Sequence, residues 1–418
     1  MNGSFPRFIF ILFFSMLMLI HPADAQTRDT IVVDKNGNGD YETLSKAIAS
    51  LPMFNYQRVT IFIKPGIYNE KIRIEQDYIT LEGEDRASTI IQYNQLREDW
   101  NRGKDTIGPA VINIHADDII LKNLTIKNTQ PQIGPHAFAI YGDGTRTILL
   151  NCTVVSRGGD TVSLWNYKTG MYYHANCSFE GAVDFVCPRG WCFIRDSKFY
   201  EMKKTAAIWH AGGNDMGQKL VIMNSSFDGV KDFQLGRHHY EAQFYLINCT
   251  FSQNMSDRPI YRVTYEDSTR NRPFNWGKRY YFSDCHRIGG DFEWFADNLN
   301  NAAGAPSPDE ITLCWTFEGR WDPESSTGPG IVKFEIHKNY ILLYFDDIVT
   351  VKGIPELISD TGKHFTYYSG GGSDTIRFNT PGTVSAGDLP GLKISNAAKL
   401  LGSRASVCER PVSLKIQP

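Results

Sequence analysis

The chain has 418 residues, of which 42% are apolar and 13% aromatic, enough to bury a sizeable core in one large domain or two unequal ones. Its formal net charge is −3 and it has no run of basic residues, so the sequence lacks the signature of a nucleic-acid-binding protein. Long stretches of helical periodicity are scarce, which argues against an all-helical protein.

The N-terminus has the pattern of an export signal. Arg7 precedes an apolar run over residues 8–20, and small residues follow at Ala23 and Ala25, the usual positions before a cleavage site. The apolar run is short for a membrane span, so an uncleaved anchor helix is the weaker alternative. We therefore predict a signal peptide over residues 1–25, a secreted or periplasmic location, and no membrane attachment after cleavage.

All eight cysteines lie beyond the predicted signal peptide, in a setting where disulfides can form. Cys187 and Cys192 are the closest pair in sequence. Neither the cysteines nor the histidines follow the spacing of a metal site, so we predict no metal. The histidines considered are His136, His174, His210, His238 and His239.

The first segment after the signal peptide predicts a strand, a turn rich in Gly and Asn, and one amphipathic helix. Thr43 is the expected N-cap of that helix. Its apolar face is predicted to consist of Leu44, Ala47, Ile48 and Leu51.

A short pattern then recurs: an apolar residue, Asn or Asp, a small residue, Ser, Thr or Lys, and an apolar or aromatic residue. We call the Asn or Asp of each repeat its anchor. The anchors are Asn123, Asn151, Asn176, Asp196, Asn224 and Asn248, and a weaker last repeat has Asp284 at this position. Successive anchors lie between 20 and 28 residues apart up to Asn248. Such a repeat, made of short strands and turns, predicts an all-β parallel β-helix.

Stacked coils would bring equivalent side chains about 4.8 Å apart. The phenylalanines at the last position of the pattern would then form an interior stack of Phe179, Phe199, Phe227 and Phe251. The turn amides would form a ladder of Asn151, Asn176, Asn224 and Asn248. The same Asn-x-Ser/Thr triplets could be glycosylation sites, but their recurrence in frame favours the ladder.

The initial helix is expected to cap one open end of the solenoid, because an uncovered edge invites aggregation. The region containing Trp294, Trp315 and Trp321 is expected to close or flank the other end. Beyond about Pro323 the pattern changes to alternating strands with Gly turns. We predict a β-helix domain over residues 26–323 and a small β-rich appendage over residues 324–418, with a separate sugar-binding module as the alternative for the appendage.

Asp160 and Asp184 follow their anchors Asn151 and Asn176 by nine and eight residues, so they are expected in equivalent strands of neighbouring coils. Like charges this close cannot both ionise easily, so one pKa should rise while the other stays low. Such a pair supplies an acid and a base or nucleophile at one pH. Arg237 can return to the same face and keep one carboxylate ionised. The alternative is a purely structural Asp ladder, with Arg237 as its counter-ion.

With these residues placed, the chain resembles the pectin methylesterase (pectinesterase) family from about Thr30 to about Pro323. Five segments carry the resemblance, in the family's order. They are GIYNEKI from Gly66, HAFAI from His136, GGDTV around Asp160, VDFVCPRG around Asp184 and LGRHH around Arg237.

The resemblance implies a right-handed parallel β-helix that is secreted and acts on a polysaccharide. By that resemblance Asp184 is the nucleophile on the methyl-ester carbonyl of a galacturonate unit. Asp160 is the acid for leaving methanol and then the base for water, and Arg237 holds the nucleophile. No cofactor is implied.

Five positions depart from the family's pattern. His136 and Gly159 stand where the family has glutamines that donate hydrogen bonds, and Gly159 has no side chain to donate. His239 replaces a tryptophan, and Cys187 with the following proline replaces Phe-Gly. The residues predicted to bind substrate are His136, Gly159, Trp165, His238 and His239.

We therefore predict a carboxylic ester hydrolase that acts on methyl esters of pectin or a related uronic-acid polymer. We expect it to act as a monomer and to bind no nucleic acid. Two alternatives stay open. One is an esterase for another decorated polysaccharide, and the other is a polysaccharide-binding protein on an inactive scaffold of the same family.

Overall fold

Three parallel sheets run along the first two thirds of the computed structural model, because each coil contributes one short strand to each sheet. Connections between parallel strands are right-handed, so the coils form a right-handed parallel β-helix, as predicted. The structure describes residues 30–53, 55, 58–213, 215–324, 330–396, 398–402 and 413–416. The predicted signal peptide, residues 1–25, lies outside the described residues. Within those ranges no helix combines the length and apolar character needed to cross a bilayer.

The first sheet contains, in spatial order, Thr30–Val33, Val59–Ile63, Ile79–Gly83, Ile120–Lys122, Thr147–Leu150, Met171–Ala175, Trp191–Arg195, Leu220–Met223, Phe244–Ile247 and Tyr280–Ser283. The second contains Ile72–Ile74, Ala110–Ile114, Phe138–Gly142, Val162–Leu164, Val186–Pro188, Ala206–Trp209, Gln234–His238 and Tyr261–Arg262. The third contains Gly66–Asn69, Thr89–Tyr93, Thr125–Asn128, Thr153–Val155, Ser178–Gly181, Lys198–Glu201, Ser226–Gly229, Thr250–Phe251 and His286–Arg287.

The turn between the first and third sheets explains the repeated pattern. Every anchor has a left-handed backbone, with φ between 49° and 54°, a conformation that Asn and Asp tolerate better than other residues with side chains. The side-chain amide of Asn151 donates to Asn123 at 2.8 Å, that of Asn176 donates to Asn151 at 3.1 Å, and that of Asn248 donates to Asn224 at 2.8 Å. The predicted ladder is therefore present.

The predicted interior aromatic stack is also present. The strands pair in register at Phe179, Phe199, Phe227 and Phe251. Successive ring centroids are 5.4, 4.3 and 5.6 Å apart along the stack. All four side chains are buried in the main core, so the stack helps to hold the third sheet against the other two.

The predicted N-terminal helix spans Leu44–Ala49, and Thr43 caps it by accepting a hydrogen bond from the N–H of Lys46. Glu70 accepts two further N–H groups of the first turn, which binds the helix to the first coils. Among the described residues, the other α-helices are Arg97–Arg102 and Leu313–Thr316. Single 3-10 turns span Ser268–Arg270, Glu293–Phe295, Leu299–Asn301, Pro308–Glu310 and Ala386–Asp388.

The tryptophans near the C-terminal end of the β-helix have two different packing roles. Trp294 packs edge-on against Phe282 of the last strand in the first sheet and so closes that end of the core. Trp315 packs against Tyr245 on the outer face of the first sheet, and Trp321 belongs to the same cluster. The prediction that this region closes or flanks the end is confirmed in both senses.

A fourth, mostly antiparallel sheet follows residue 330 and has a hydrophobic core of its own. Its strands are Gly330–His337, Tyr340–Lys352, Glu356–Ile358, His364–Ser369, Ser373–Asn379, Lys393–Ile394, Lys399–Gly402 and Ser413–Ile416. The β-rich character of this part matches the prediction, and the boundary between residues 323 and 324 stays a prediction.

Six of the described cysteines are free thiols, although disulfides are the usual state of cysteines in an exported chain. Cys187 and Cys192, the closest pair, are both buried free thiols, on strands of two different sheets. Cys314 is disulfide-bonded. Four further free and buried thiols fill the core, at Cys152, Cys177, Cys249 and Cys285.

Candidate active site

Two aspartates stand at equivalent points of neighbouring coils in the second sheet. Asp160 lies two residues before the strand Val162–Leu164, Asp184 lies two residues before Val186–Pro188, and those strands pair in register. Both have a left-handed backbone, with φ of 57° and 55°. The two carboxyl groups are close enough for the charge of Asp184 to raise the pKa of Asp160.

Arg237, in the strand Gln234–His238, forms an ion pair with one of these carboxylates. Its Nε lies 2.9 Å from Oδ1 and 3.1 Å from Oδ2 of Asp184, and its Nη2 lies 2.8 Å from Oδ2. Such a two-pronged contact fixes both the position and the orientation of the carboxylate. The structure thus brings together the three residues predicted as catalytic.

Burial dominates the electrostatics of the pair. The side chains of Asp160 and Asp184 are only 13% and 10% exposed. Burial, and then the charge of Asp184, raises the pKa of Asp160 to about 7. Burial also raises the pKa of Asp184, and Arg237 opposes that rise. The expectation that one carboxyl keeps a low pKa is therefore not met, because both side chains are largely withdrawn from water. We refer to the partly exposed surface formed by His136, Asp160, Asp184 and Arg237 as the groove.

His136 and Gly159 lie side by side on adjacent coils, joined by a parallel bridge. Nε2 of His136 is 3.7 Å from Oδ2 of Asp160. Burial, followed by the charges of Arg97 and Arg237, lowers the pKa of His136, so the imidazole is neutral at pH 7 and has one N–H to donate. The N–H of Gly159 already donates to the carbonyl of Pro135 at 3.1 Å.

Trp165 and His239, two of the residues predicted to bind substrate, each contact another aromatic ring. His239 stacks on Tyr265, with ring centroids 5.0 Å apart, and its Nδ1 accepts the indole N–H of Trp209 at 3.0 Å. Trp165 meets the ring of Tyr141 edge-on at 5.6 Å. The rings of Trp165 and His239 are thus each held by contacts with other aromatic side chains.

His238 is the one predicted substrate contact that the structure keeps away from the groove. Its side chain is fully buried, and its ring nitrogens face the carbonyl of Tyr240 and the hydroxyl of Tyr280. Consecutive residues of a strand point to opposite faces, so the outward Arg237 requires an inward His238. The assignment of His238 to substrate binding is corrected accordingly.

Two arginines near the aspartates were not found from the sequence. Arg189 follows the strand Val186–Pro188, with its guanidinium carbon 4.4 Å from the ring centroid of Trp165. Arg97 starts a short helix, and its backbone N–H donates to the carbonyl of His136. Both act against burial by lowering the pKa of Asp160.

A buried acid behind the site was also missed. Glu201 is completely buried, and its Oε1 accepts hydrogen bonds from the N–H groups of Lys203 and Val183, at 2.9 and 3.4 Å. Burial raises the pKa of Glu201 to about 9, so this carboxyl group is neutral at pH 7. Within the described part of the chain, no three His, Cys, Asp or Glu side chains are placed to hold a metal ion.

Comparison with solved structures places the fold among known parallel β-helix proteins. Pectin methylesterase PemA from Erwinia chrysanthemi superimposes with a TM-score of 0.57 at 20% identity, over 72% of this chain and 99% of that one. The pectin methylesterase from carrot superimposes with a TM-score of 0.54 at 19% identity, over 69% of this chain and 93% of that one. At these identities the likeness establishes the fold.

Comparison with protein-family models shows which family the chain belongs to. The pectinesterase family model matches residues 30–246, just over half of the chain, and the chain therefore belongs to the pectinesterase family. Putative pectinesterase 11 of Arabidopsis thaliana is 30% identical over 49% of this chain and 59% of its own length. Probable pectinesterase 49 of the same plant is 32% identical over 39% of this chain and 45% of its own length. The chain thus spans about half the length of these curated relatives.

Proposed function

We propose that the chain is a secreted carbohydrate esterase that removes methyl esters from pectin, a polymer of methylated galacturonate. The observation that carries the proposal is the pair Asp160 and Asp184 on neighbouring coils, with Arg237 bound to Asp184 by three contacts. Family membership supports it, and one similar solved structure is a pectin methylesterase in complex with a hexasaccharide.

In the first half-reaction the carboxylate of Asp184 attacks the carbonyl carbon of the methyl ester. Arg237 orients that carboxylate, so little reorganisation is needed at the moment of attack. The carbon–oxygen bond to the methoxy group then breaks, and Asp160 gives its proton to the departing oxygen to form methanol. A pKa of about 7 suits Asp160 to this step, because about half of it carries a proton at neutral pH.

In the second half-reaction Asp160, now a carboxylate, takes a proton from water. The hydroxide attacks the carbonyl of the anhydride that links Asp184 to the uronate, and the bond to Asp184 breaks. The products are a free uronic acid and the original Asp184 carboxylate. The covalent intermediate divides one slow hydrolysis into two easier steps.

The negative oxygen that forms on the ester carbonyl needs hydrogen-bond donors. His136, neutral and next to Asp160, can donate one N–H. Gly159 cannot donate, since it has no side chain and its N–H is used by Pro135. Loss of one such donor typically lowers the rate by about 10²–10³-fold. We therefore propose an esterase that is slower than one with both donors.

The proposed substrate agrees with the other predictions for this chain. A polysaccharide outside the cytoplasm is reached by a protein with the predicted signal peptide, and the proposed mechanism needs neither a cofactor nor a second subunit. Trp165 directly follows the strand that Asp160 precedes, and His239 is two residues from Arg237, so both rings are candidate platforms for sugar units.

The direct test is methanol release from methylated polygalacturonate by the mature chain, residues 26–418. The variants Asp184→Asn and Asp160→Asn should each lower kcat by about 10³-fold or more. A matched control is Asp196→Asn, which changes an aspartate with the same left-handed backbone at a ladder position where other coils have Asn. That variant should keep its activity.

The two alternative functions give different results in the same assay. Release of acetate from acetylated polysaccharides, with no methanol from pectin, would favour an esterase for another decoration. Binding of polygalacturonate without any ester turnover would favour a binding protein, and would overturn the proposed hydrolysis.

A further inference from the structure

The fourth sheet carries a row of flat side chains on one face. The rings of His337 and Tyr340 stack with centroids 4.2 Å apart and planes 13° from parallel. The guanidinium carbon of Arg377 lies 3.9 Å from the ring centroid of Tyr340 and 4.5 Å from that of Tyr368, which belong to the strands on either side of its own. We call these four side chains, one from each of four neighbouring strands, the stacked row.

Strand alternation places the stacked row outside the core. Ile341 follows Tyr340 in its strand and is completely buried, and Phe378 follows Arg377 and is completely buried too. Neighbouring residues of a strand point to opposite faces, so Tyr340 and Arg377 point away from the core of the sheet. Tyr368 is 61% exposed. The stacked row is therefore open to a ligand, and its side chains can be replaced without a cavity in the core.

Arg377 has no acid to balance its charge. Its Nε donates to Oδ1 of Asn379 at 2.9 Å, and among the residues that the structure describes it makes no ion pair and no other hydrogen bond. Lys333, on the same face, does have an acid partner, Glu335 at 2.7 Å. The two tyrosine rings fix the plane of the guanidinium while its Nη edge stays available. A carboxylate, which accepts two parallel N–H groups, fits that edge.

A uronic-acid polysaccharide has both features that the stacked row is suited to bind. Each unit carries a carboxylate for the guanidinium, and its sugar ring has a face of C–H groups that packs on a flat aromatic ring. Side chains that already stack on one another lose little freedom on binding, which favours affinity. A neutral polysaccharide has no charge to pair with Arg377.

We propose that the stacked row is a second polysaccharide-binding site, separate from the groove, which takes a stretch of uronic-acid polymer with free carboxylates. The choice of this polymer rests on the proposed esterase function, because hydrolysis of pectin esters leaves free carboxylates on the polymer. Two binding sites in one chain raise the effective concentration of the second contact. The fourth sheet then anchors the chain to long polymers and adds little on short ones.

The test is affinity electrophoresis of the mature chain, residues 26–418, through gels that contain de-esterified polygalacturonate. Arg377→Met keeps an apolar side chain between the two rings and removes the charge, and Tyr368→Ser removes an exposed ring. Each should raise the apparent Kd by about tenfold or more. Arg377→Lys should raise it less, because a point charge remains. An unchanged Kd in both Arg377→Met and Tyr368→Ser would overturn the proposal.

A matched control is Arg320→Met. Arg320 also stacks on an aromatic ring, with its guanidinium carbon 3.8 Å from the ring centroid of Trp191, but it pairs with Glu318 at 2.9 Å and lies outside the fourth sheet. This variant should keep the Kd of the unmodified chain. A gel that contains a neutral glucan should not retard the unmodified chain, and equal retardation in both gels would overturn the choice of a charged polymer.

Turnover separates this site from the proposed active site. A trimer is short enough to occupy one site at a time, so kcat/KM on methylated trigalacturonate should be the same in Arg377→Met as in the unmodified chain. On long, partly methylated polygalacturonate, KM should rise in that variant. An equal loss of kcat/KM on both substrates would place Arg377 in the active site and overturn a second site. If no methanol is released from either substrate, the esterase function fails, and the electrophoresis still decides whether the stacked row binds the polymer.

Discussion

Oε1 of Glu201 accepts a hydrogen bond from the backbone N–H of Val183, the residue before the proposed nucleophile. Val183 has a φ of 57°, which is rare for a β-branched residue and costs on the order of 1–3 kcal/mol. Glu201 is buried in the neighbouring coil and neutral at pH 7, so it supports the strained turn without adding a charge near Asp184. We regard Glu201 as a positioning residue.

Glu201→Gln should therefore show a stability difference that depends on pH. The pKa of Glu201 is about 9 in the folded chain and about 4.3 in an unfolded one, so the unmodified chain loses stability as pH rises between these values. Glutamine keeps the acceptor oxygen and cannot ionise. The difference in unfolding free energy should move in favour of Glu201→Gln by about 4 kcal/mol between pH 5 and pH 8, measured by denaturant titration.

The contrasting variant is Glu201→Ala, which removes the acceptor and leaves the N–H groups of Val183 and Lys203 unpaired. It should lower kcat more than it changes KM, because the turn before Asp184 loses its support. Equal pH dependence in the unmodified chain and in Glu201→Gln would show that Glu201 is not buried as a neutral acid.

The rate of ester hydrolysis should fall above neutral pH. Asp160 must carry a proton to release methanol, and its pKa is about 7, so kcat/KM should decrease about tenfold per pH unit well above that value. The measurement is a pH profile of methanol release from a short methylated oligomer. A profile that stays flat to pH 9 would contradict the role given to Asp160.

The same pKa can be checked without turnover. In Asp184→Asn the nearby negative charge is gone, and Arg237 loses its partner, so the pKa of Asp160 should fall below about 7. Carboxyl chemical shifts followed by NMR through a pH titration would report it. Asp196→Asn, outside the groove, should leave the pKa of Asp160 where it is.

The interior phenylalanine stack should carry a large part of the stability of the coils. Phe199 lies parallel to Phe227 with ring centroids 4.3 Å apart, and it also contacts Phe179 and Phe185. Phe199→Ala should cost about 3–5 kcal/mol in unfolding free energy. Phe62→Ala, at a half-buried position, should cost less than about 2 kcal/mol.

The sequence predicted the parts of the fold that repeat. The phenylalanine stack and the Asn ladder recur in frame, so one period places every member. Asp160 and Asp184 could be paired for the same reason, since each follows its anchor by nearly the same number of residues. The wrong assignment of His238 came from reading two adjacent histidines together, although strand alternation places them on opposite faces.

Other parts of the site follow no repeat. Arg97 reaches the groove from a helix that interrupts the coils, and its position depends on a backbone contact with His136 that no spacing reveals. Glu201 sits at the end of a strand, where its polar side chain gives no sign that it is completely buried. The raised pKa of Asp184 depends on how much water the folded groove excludes, which a sequence pattern does not measure.

Restoring the missing donor at Gly159 should raise the rate. A Cβ at this position would lie 3.2 Å from the carbonyl oxygen of Val183 and 3.4 Å from those of Ala182 and Gly134, so a side chain requires only a small shift of the backbone. In Gly159→Gln the amide can donate to the negative oxygen of the intermediate, and kcat should rise by about tenfold to hundredfold. Methanol release under saturating substrate measures this change.

Two control variants separate the effect of the hydrogen-bond donor from the effect of adding a side chain at this position. Gly159→Glu has the same shape but no N–H when ionised, and it adds a negative charge beside Asp160, so it should lower kcat. Gly159→Ala adds only the Cβ and shows what the backbone shift itself costs. If Gly159→Gln is no faster than Gly159→Ala, the negative oxygen is stabilised by other groups, and His136 becomes the residue to replace next.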